Sequence, residues 1–308
     1  MPNLLRVTCS LALLSLVAAC GGTAGSAAPS GVPTASGASA SSSPGTSPSP
    51  STADFGRIEH ATGAADLVLR YEQGGGFVPP SFTVAQTPIF TLYGDRIVVF
   101  RDPALEGPAP DGSVFRLNPL RTASLSEDQV QDLLAYALGE GRLGIARAQY
   151  DFAGVADAST GTFTVDAGGI KKTVAVYALG MDTPDVPDAG ARAAFGRLAD
   201  RLGNFDQGGS IPTDVYAPVA FRAILMDGTG MVVPDVRTWP WTTIGPSDFK
   251  GPTDPNAFQM ATRTLTPDEV AALKVAEPEG GFSGMILNGP DGKVYSLAVR
   301  PLLPDESE

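Results

Sequence analysis

One histidine and two cysteines, His60, Cys9 and Cys20, are all the imidazole and thiol that this chain holds. A Ser-His-Asp relay needs an imidazole held between a nucleophile and a carboxylate. His60 lies where a Ser/Pro/Gly/Ala-rich stretch gives way to ordinary globular sequence, and it reads as a solvated boundary residue. Zinc sites made from His and Cys clusters lack their ligands, so no metal is expected. The carboxylates remain, 33 Asp and Glu in all. A pair of them about 5–9 Å apart can hydrolyse a glycosidic bond, but no local signature marks such a pair. Asp111-Gly112, Asp227-Gly228 and Asp291-Gly292 stand outside any calcium-loop pattern and read as tight turns between strands. No catalytic residue, metal or cofactor is therefore expected.

Three aromatic side chains are candidates for contact with a partner. Phe77 follows a glycine run, Gly74 to Gly76, and precedes Pro79-Pro80. Trp239 and Trp241 flank Pro240 and are the two tryptophans of the chain. Tryptophan is enriched at interaction hot spots. The competing reading is that the tryptophan pair covers the core beneath a long loop.

Cys20 has a different chemistry. It follows Val17-Ala18-Ala19 and the apolar run from Leu11, with Arg6 ahead of it. A charged start, a short apolar stretch and small residues before a cut are the parts of an export signal. The run is too short to span a bilayer, which takes about 20 apolar residues. Val17-Ala18-Ala19-Cys20 resembles the lipobox of bacterial lipoproteins. That resemblance implies removal of residues 1–19 and a diacylglyceryl group on the Cys20 thiol. Each buried CH₂ contributes about 0.8 kcal/mol, so several acyl chains hold a protein firmly on a membrane. The expected location is the outer, extracytoplasmic face of the cell membrane.

Residues 21–53 carry no charge and hold almost no large side chain. Such a stretch cannot bury enough apolar surface to offset its ordering entropy. It reads as an unstructured tether with a reach of roughly 30 Å. With Cys9 removed and Cys20 acylated, the folded part has no disulfide, and its core must carry stability alone. A net charge of −12 makes nucleic acid an unsuitable partner.

The folded part reads as two α+β units, 54–204 and 205–308, with mainly antiparallel strands and a few short helices on one face. Alternating Leu67, Leu69 and Tyr71 predict a strand that Gly74-Gly75-Gly76 breaks, and Phe82–Ala85, Ile89–Tyr93 and Ile97–Arg101 read as further strands. Ser126 and Gln129 form a capping box, Leu125 and Val130 a staple, and Val130, Leu133, Leu134 and Ala137 an inward stripe. A second helix is expected over 188–202 and a second capping box at Thr266 and Glu269. Tyr71-Glu-Gln-Gly-Gly75 recurs as Phe205-Asp-Gln-Gly-Gly209, and the capped helices recur in the same order. Two related halves are the expectation.

The sequence around Gly75-Gly76-Phe77, followed by strands and a Leu125-Ser126 helix with Val130 and Leu133, is similar to the emfourin-type peptidase-inhibitor module. The chain also resembles exported bacterial lipoproteins that share Gly-Gly-Phe-Val-Pro-Pro (75–80) and Tyr-Ala-Leu-Gly (177–180). The leading expectation is a membrane-anchored, non-enzymatic binding module for an envelope or secreted protein. The alternatives are a peptidase inhibitor and a carboxylate-dependent, glycan-active enzyme.

Overall fold

The computed structural model describes residues 56–306, apart from 79, 103–104, 182–185, 207–208, 231–234 and 252–259. Residues 1–55, where the sequence leads one to expect an export signal, an acylated Cys20 and a tether, lie outside the described residues. Contacts group residues 54–308 into one compact unit. The architecture is α+β and mainly sheet.

The first sheet runs in the order β6 (Gln149–Tyr150), β8 (Ile170–Tyr177), β7 (Ser159–Ala167), β1 (Leu67–Gly75), β2 (Phe90–Tyr93), β3 (Ile97–Arg101), β5 (Leu120–Ser124) and β9 (Asp214–Val215). The second runs β11 (Arg237–Thr238), β13 (Phe282–Asn288), β14 (Val294–Pro301), β10 (Phe221–Asp227) and β12 (Ala261–Leu265). A further short strand, β4 (Arg116–Leu117), pairs with β13. Pairings are antiparallel except β6 with β8 and β11 with β13. Elements cross between the two spans of sequence. β4 comes from the first span and joins the second sheet, while β9 comes from the second and joins the first.

Helices α2 (Glu127–Leu138) and α3 (Ala189–Gly203) cover one face of the first sheet. The Ser126–Gln129 capping box forms as its residue types demand, and Val130, Leu133, Leu134 and Ala137 are buried. Tyr71 of β1 stacks on Phe163 of β7 at 4.7 Å, and Phe163 lies 5.9 Å from Phe195 of α3. Aromatic pairs at such distances add to ordinary burial, so this column locks β1, β7 and α3 together. Helix α1 (Pro80–Ala85) packs on the Ile224–Ala298 face of the second sheet. Helix α4 (Pro267–Ala271), with its own capping box at Thr266, buries Val270 on the opposite face. The helices therefore do not share a single face.

Three local expectations are corrected. Residues 82–85 form the end of α1 rather than a strand. Pro80 suits a first helical turn, and four residues are too few for periodicity to separate helix from strand. Strand β1 runs past Tyr71 to Gly75, into the glycine run expected to break it. Gly74 and Gly75 pair with Thr160 and Ser159 of β7, because ladder bonding uses the backbone and needs no side chain; the chain turns through Gly75 and Gly76, φ 76° and 84°. His60 is not solvated. Its side chain is 6 % exposed and its Nε2 lies 3.4 Å from Glu127 at the start of α2. The neighbouring Ile58 exchanges two backbone hydrogen bonds with the Gln131 amide.

The recurring landmarks differ in structure. Tyr71 opens the second half of a strand, whereas Phe205 follows the end of α3. The hairpin after α2 meets β1 through its first strand, β7, while the hairpin after α4 meets β10 through its last, β14.

Candidate functional site

The end of β1 has one free edge. Strand β2 begins at Phe90, opposite Tyr71, and Ile89 N–H donates to the Tyr71 carbonyl at 2.9 Å. Beyond that point β1 is paired only with β7, from Glu72 to Gly75. The chain between Gly76 and Thr87 leaves the first sheet to form α1 on the second. Space is left between β1 and α1, and it opens as a cavity on each face of the strand.

The larger cavity, about 510 Å³, lies on the face that carries Tyr71, Gln73 and Ser159. Arg101, Glu106 and Arg116 line it with Asp200 and Asn204 near the end of α3 and with Phe82 of α1. Glu106 accepts from Arg101 Nε at 2.6 Å and also pairs with Arg116. The Arg101 and Glu106 side chains are 11 % and 13 % exposed. Arg116 also lies 4.5 Å above the Phe82 ring, a cation–π arrangement. Glu106 is thus a bridge that fixes two guanidinium groups at the cavity wall. Burial, reinforced by Asp200 and partly offset by Arg101, pushes the Tyr71 hydroxyl up to about 12. It remains a neutral donor and acceptor at any physiological pH. Gln73 Nε2 donates to Ser159 Oγ at 2.8 Å. The wall is polar, rigid and suited to recognition by hydrogen bonds, with an apolar floor from Phe82 and Ile89.

The smaller cavity, about 390 Å³, lies on the opposite face and is lined by Glu72, Thr83, Thr87, Thr160 and Thr162. Gln73, glycines 74 and 75 and Gln86 border both spaces. Thr87 is 3 % exposed, and its hydroxyl has no hydrogen-bond partner. Buried hydroxyls nearly always find one.

Phe77 is 93 % exposed and is the most exposed large apolar side chain among the described residues. Its N–H donates to Asp157 at 3.1 Å, so the backbone beneath it is held while the ring is free. Val78, the next residue, lines the larger cavity. The tryptophans lie elsewhere. Trp239 is 9 % exposed and belongs to the core of the second sheet, with its indole N–H donating to Ile244 at 2.6 Å. Trp241 packs edge-on against it at 5.3 Å and donates to Glu269 at 2.8 Å. They lie on the face of the second sheet opposite α1, so the structure does not bring Phe77 and the tryptophans together. Trp239 does wall a cavity of about 420 Å³ with Arg237 and Lys274. The three Asp-Gly carboxylates cap their own turns, accepting from Ser113, Thr229 and Lys293.

Sequence reasoning found the Gly74–Phe77 segment but missed Arg101, Glu106, Arg116 and Asp200. These residues come from β3, the following loop, β4 and α3, and no spacing relates them. The signal that was present is Arg101 closing an apolar strand, a charge just where the strand leaves the core. No protein-family model matches the chain, no curated protein matches it, and no solved structure matches it.

Proposed function

We propose that this protein is a lipid-tethered, extracytoplasmic binding protein that presents the free end of β1 to an envelope or secreted partner. Acylation of Cys20 anchors it, residues 21–53 hold the folded part away from the bilayer, and no catalytic step is assigned. One observation carries the reading: Phe77, 93 % exposed, beside a cavity whose Arg101–Glu106–Arg116 bridge is already fixed. A preorganised polar wall beside an exposed aromatic is what recognition requires, because little ordering entropy remains to be lost on binding. A common origin of the two halves is supported by the paired capping boxes and opposed by the reversed hairpin order.

The test uses the full chain on vesicles, exposed to envelope extract and culture fluid, beside Phe77→Ser and Arg116→Ala variants. Retention of a defined partner that both variants weaken supports the reading. Retention insensitive to both, or no retention, overturns it. A retained peptidase whose turnover falls on binding would move the assignment to an inhibitor, and turnover of a polysaccharide would move it to an enzyme. Intact mass of Cys20-containing peptide tests the anchor separately: unmodified Cys20 in the membrane fraction would refute it.

A further inference from the structure

Resting on the binding reading above, we propose that the free edge of β1 receives an extended peptide as an added strand, with a basic side chain placed in the Glu72–threonine cavity. The Tyr71 carbonyl points toward β2, since it accepts from Ile89. Strand groups alternate with period two, so the N–H and C=O of Gln73 point to the same side, where β2 is already past. A peptide lying there meets unpaired backbone groups, the basis of recognition by strand addition.

The two cavities give this edge its specificity. They flank one strand on opposite faces, with Glu72 in the smaller, Tyr71 in the larger and Gln73 bordering both. An added strand sends alternate side chains to opposite faces, so neighbouring residues of one peptide reach the two cavities in turn. An added Cβ at Gly75 would meet no atom within 4 Å, whereas at Gly74 it would meet the Gln86 amide oxygen at 3.6 Å, so the flexible Gln86 side chain swings aside to admit the peptide.

The chemistry of each cavity selects the side chain. Glu72 is the single formal charge lining the smaller one, beside four threonines. The Thr87 hydroxyl there is buried and unpartnered, and an ammonium or guanidinium group supplies the donor that it lacks. The larger cavity, lined by Phe82, Ile89 and Tyr71 together with the Arg101–Glu106–Arg116 bridge, takes a long side chain with an apolar stem and a polar end. A chain of net charge −12 also attracts a basic peptide before contact.

The probe is a displayed library of random linear seven-residue peptides, selected on the full chain. Enriched peptides are then synthesised with single N-methylated amides. Enrichment of Lys or Arg is expected, with Glu72→Gln weakening binding about tenfold, or 1.4 kcal/mol, at unchanged melting temperature. Methylation of amides that face β1 should abolish binding, and methylation of the alternate amides should leave it within about threefold. No enrichment above an unrelated control, or binding indifferent to the position of methylation, overturns strand addition. Enrichment without basic residues, or indifference to Glu72→Gln, overturns the assigned side chain. If envelope capture still depends on Phe77 while peptides fail, the inference falls and the binding reading stands.

Discussion

Asp305→Ala should loosen the whole molecule, because Asp305 fastens the end of the second sheet to the first. After β14 the chain crosses to the first sheet, where Leu303 packs with Tyr93, Val99 and Leu120. Asp305 Oδ1 accepts from Arg70 Nη2 and from the Tyr93 hydroxyl, each at 2.7 Å. The side chains of Arg70 and Asp305 are only 14 % and 19 % exposed. Hydrogen bonds to a charged group contribute about 1.5–3 kcal/mol each. Partial access of water reduces this, and Arg70 keeps its contact to Thr91 Oγ1 at 3.2 Å. A net loss of about 3 kcal/mol follows, and roughly half of that for Asp305→Asn, which keeps one acceptor oxygen. In a protein of this size each kcal/mol lowers Tm by about 2–4 °C. Urea unfolding followed by circular dichroism measures the loss.

The same site makes a pH prediction. Burial alone would raise the Asp305 carboxyl, but hydrogen bonds from Arg70 and Tyr93 outweigh it and hold the group below its usual range. A depressed carboxyl stabilises the fold above its unfolded value and loses that contribution as pH falls through its folded value. The gap in stability between the wild type and Asp305→Asn should be full at pH 7 and shrink below about pH 4. A loss for Asp305→Ala under about 1 kcal/mol, or a gap that persists to pH 2, would refute the reasoning. The clamp also bears on the site. β1 belongs to the first sheet and α1 packs on the second, so a looser join between sheets should widen the space at the end of β1 and weaken the proposed binding there.

Other outcomes follow from the same structure. Tryptophan emission should be blue-shifted and protected from acrylamide, and Trp239→Phe should cost about 1–2 kcal/mol by leaving the Ile244 carbonyl unpaired; ready quenching would place the pair at the surface. Ser126→Ala should cost about 1 kcal/mol through loss of its cap on α2, measured by chemical unfolding, and an unchanged midpoint would contradict the capping geometry. Phe77→Ser should leave the melting temperature within about 1 °C, since a side chain this exposed contributes little to the core. Tyr71 and Tyr216 are both pushed up to about 12, chiefly by burial. Their neutral forms support the fold fully below pH 10, and that support is lost as pH rises from 10 through 12; stability flat across this window would show the hydroxyls to be solvated.

Elements whose cause is local were legible in the residues. The Ser126–Gln129 box, the α2 stripe and the Asp-Gly turns each depend on side chains within four positions, so short-range hydrogen bonding and periodicity suffice to find them. Residues 82–85 were misread because a single turn of helix is specified by what it packs on, here the Ile224–Ala298 face, and not by its own pattern. The Gly74–Phe77 segment was legible as a special place because a glycine run beside an exposed aromatic has no role in a core. The tryptophans were equally conspicuous in type, but their place was set by the second sheet closing over them.

The sequence by itself determined the short apolar run and small residues ahead of Cys20, the uncharged composition of residues 21–53, the acidic charge and the scarcity of imidazole and thiol, all properties of residue type that folding does not alter. The tertiary structure alone decided that β2 falls short of the end of β1, that Arg101, Glu106 and Arg116 meet, and that Trp239 is core. The physical reason is separation along the chain. A strand edge is free or paired according to what a distant segment does, and Arg101 becomes part of a cavity wall only when the loop after β3 supplies the carboxylate of Glu106 that holds it.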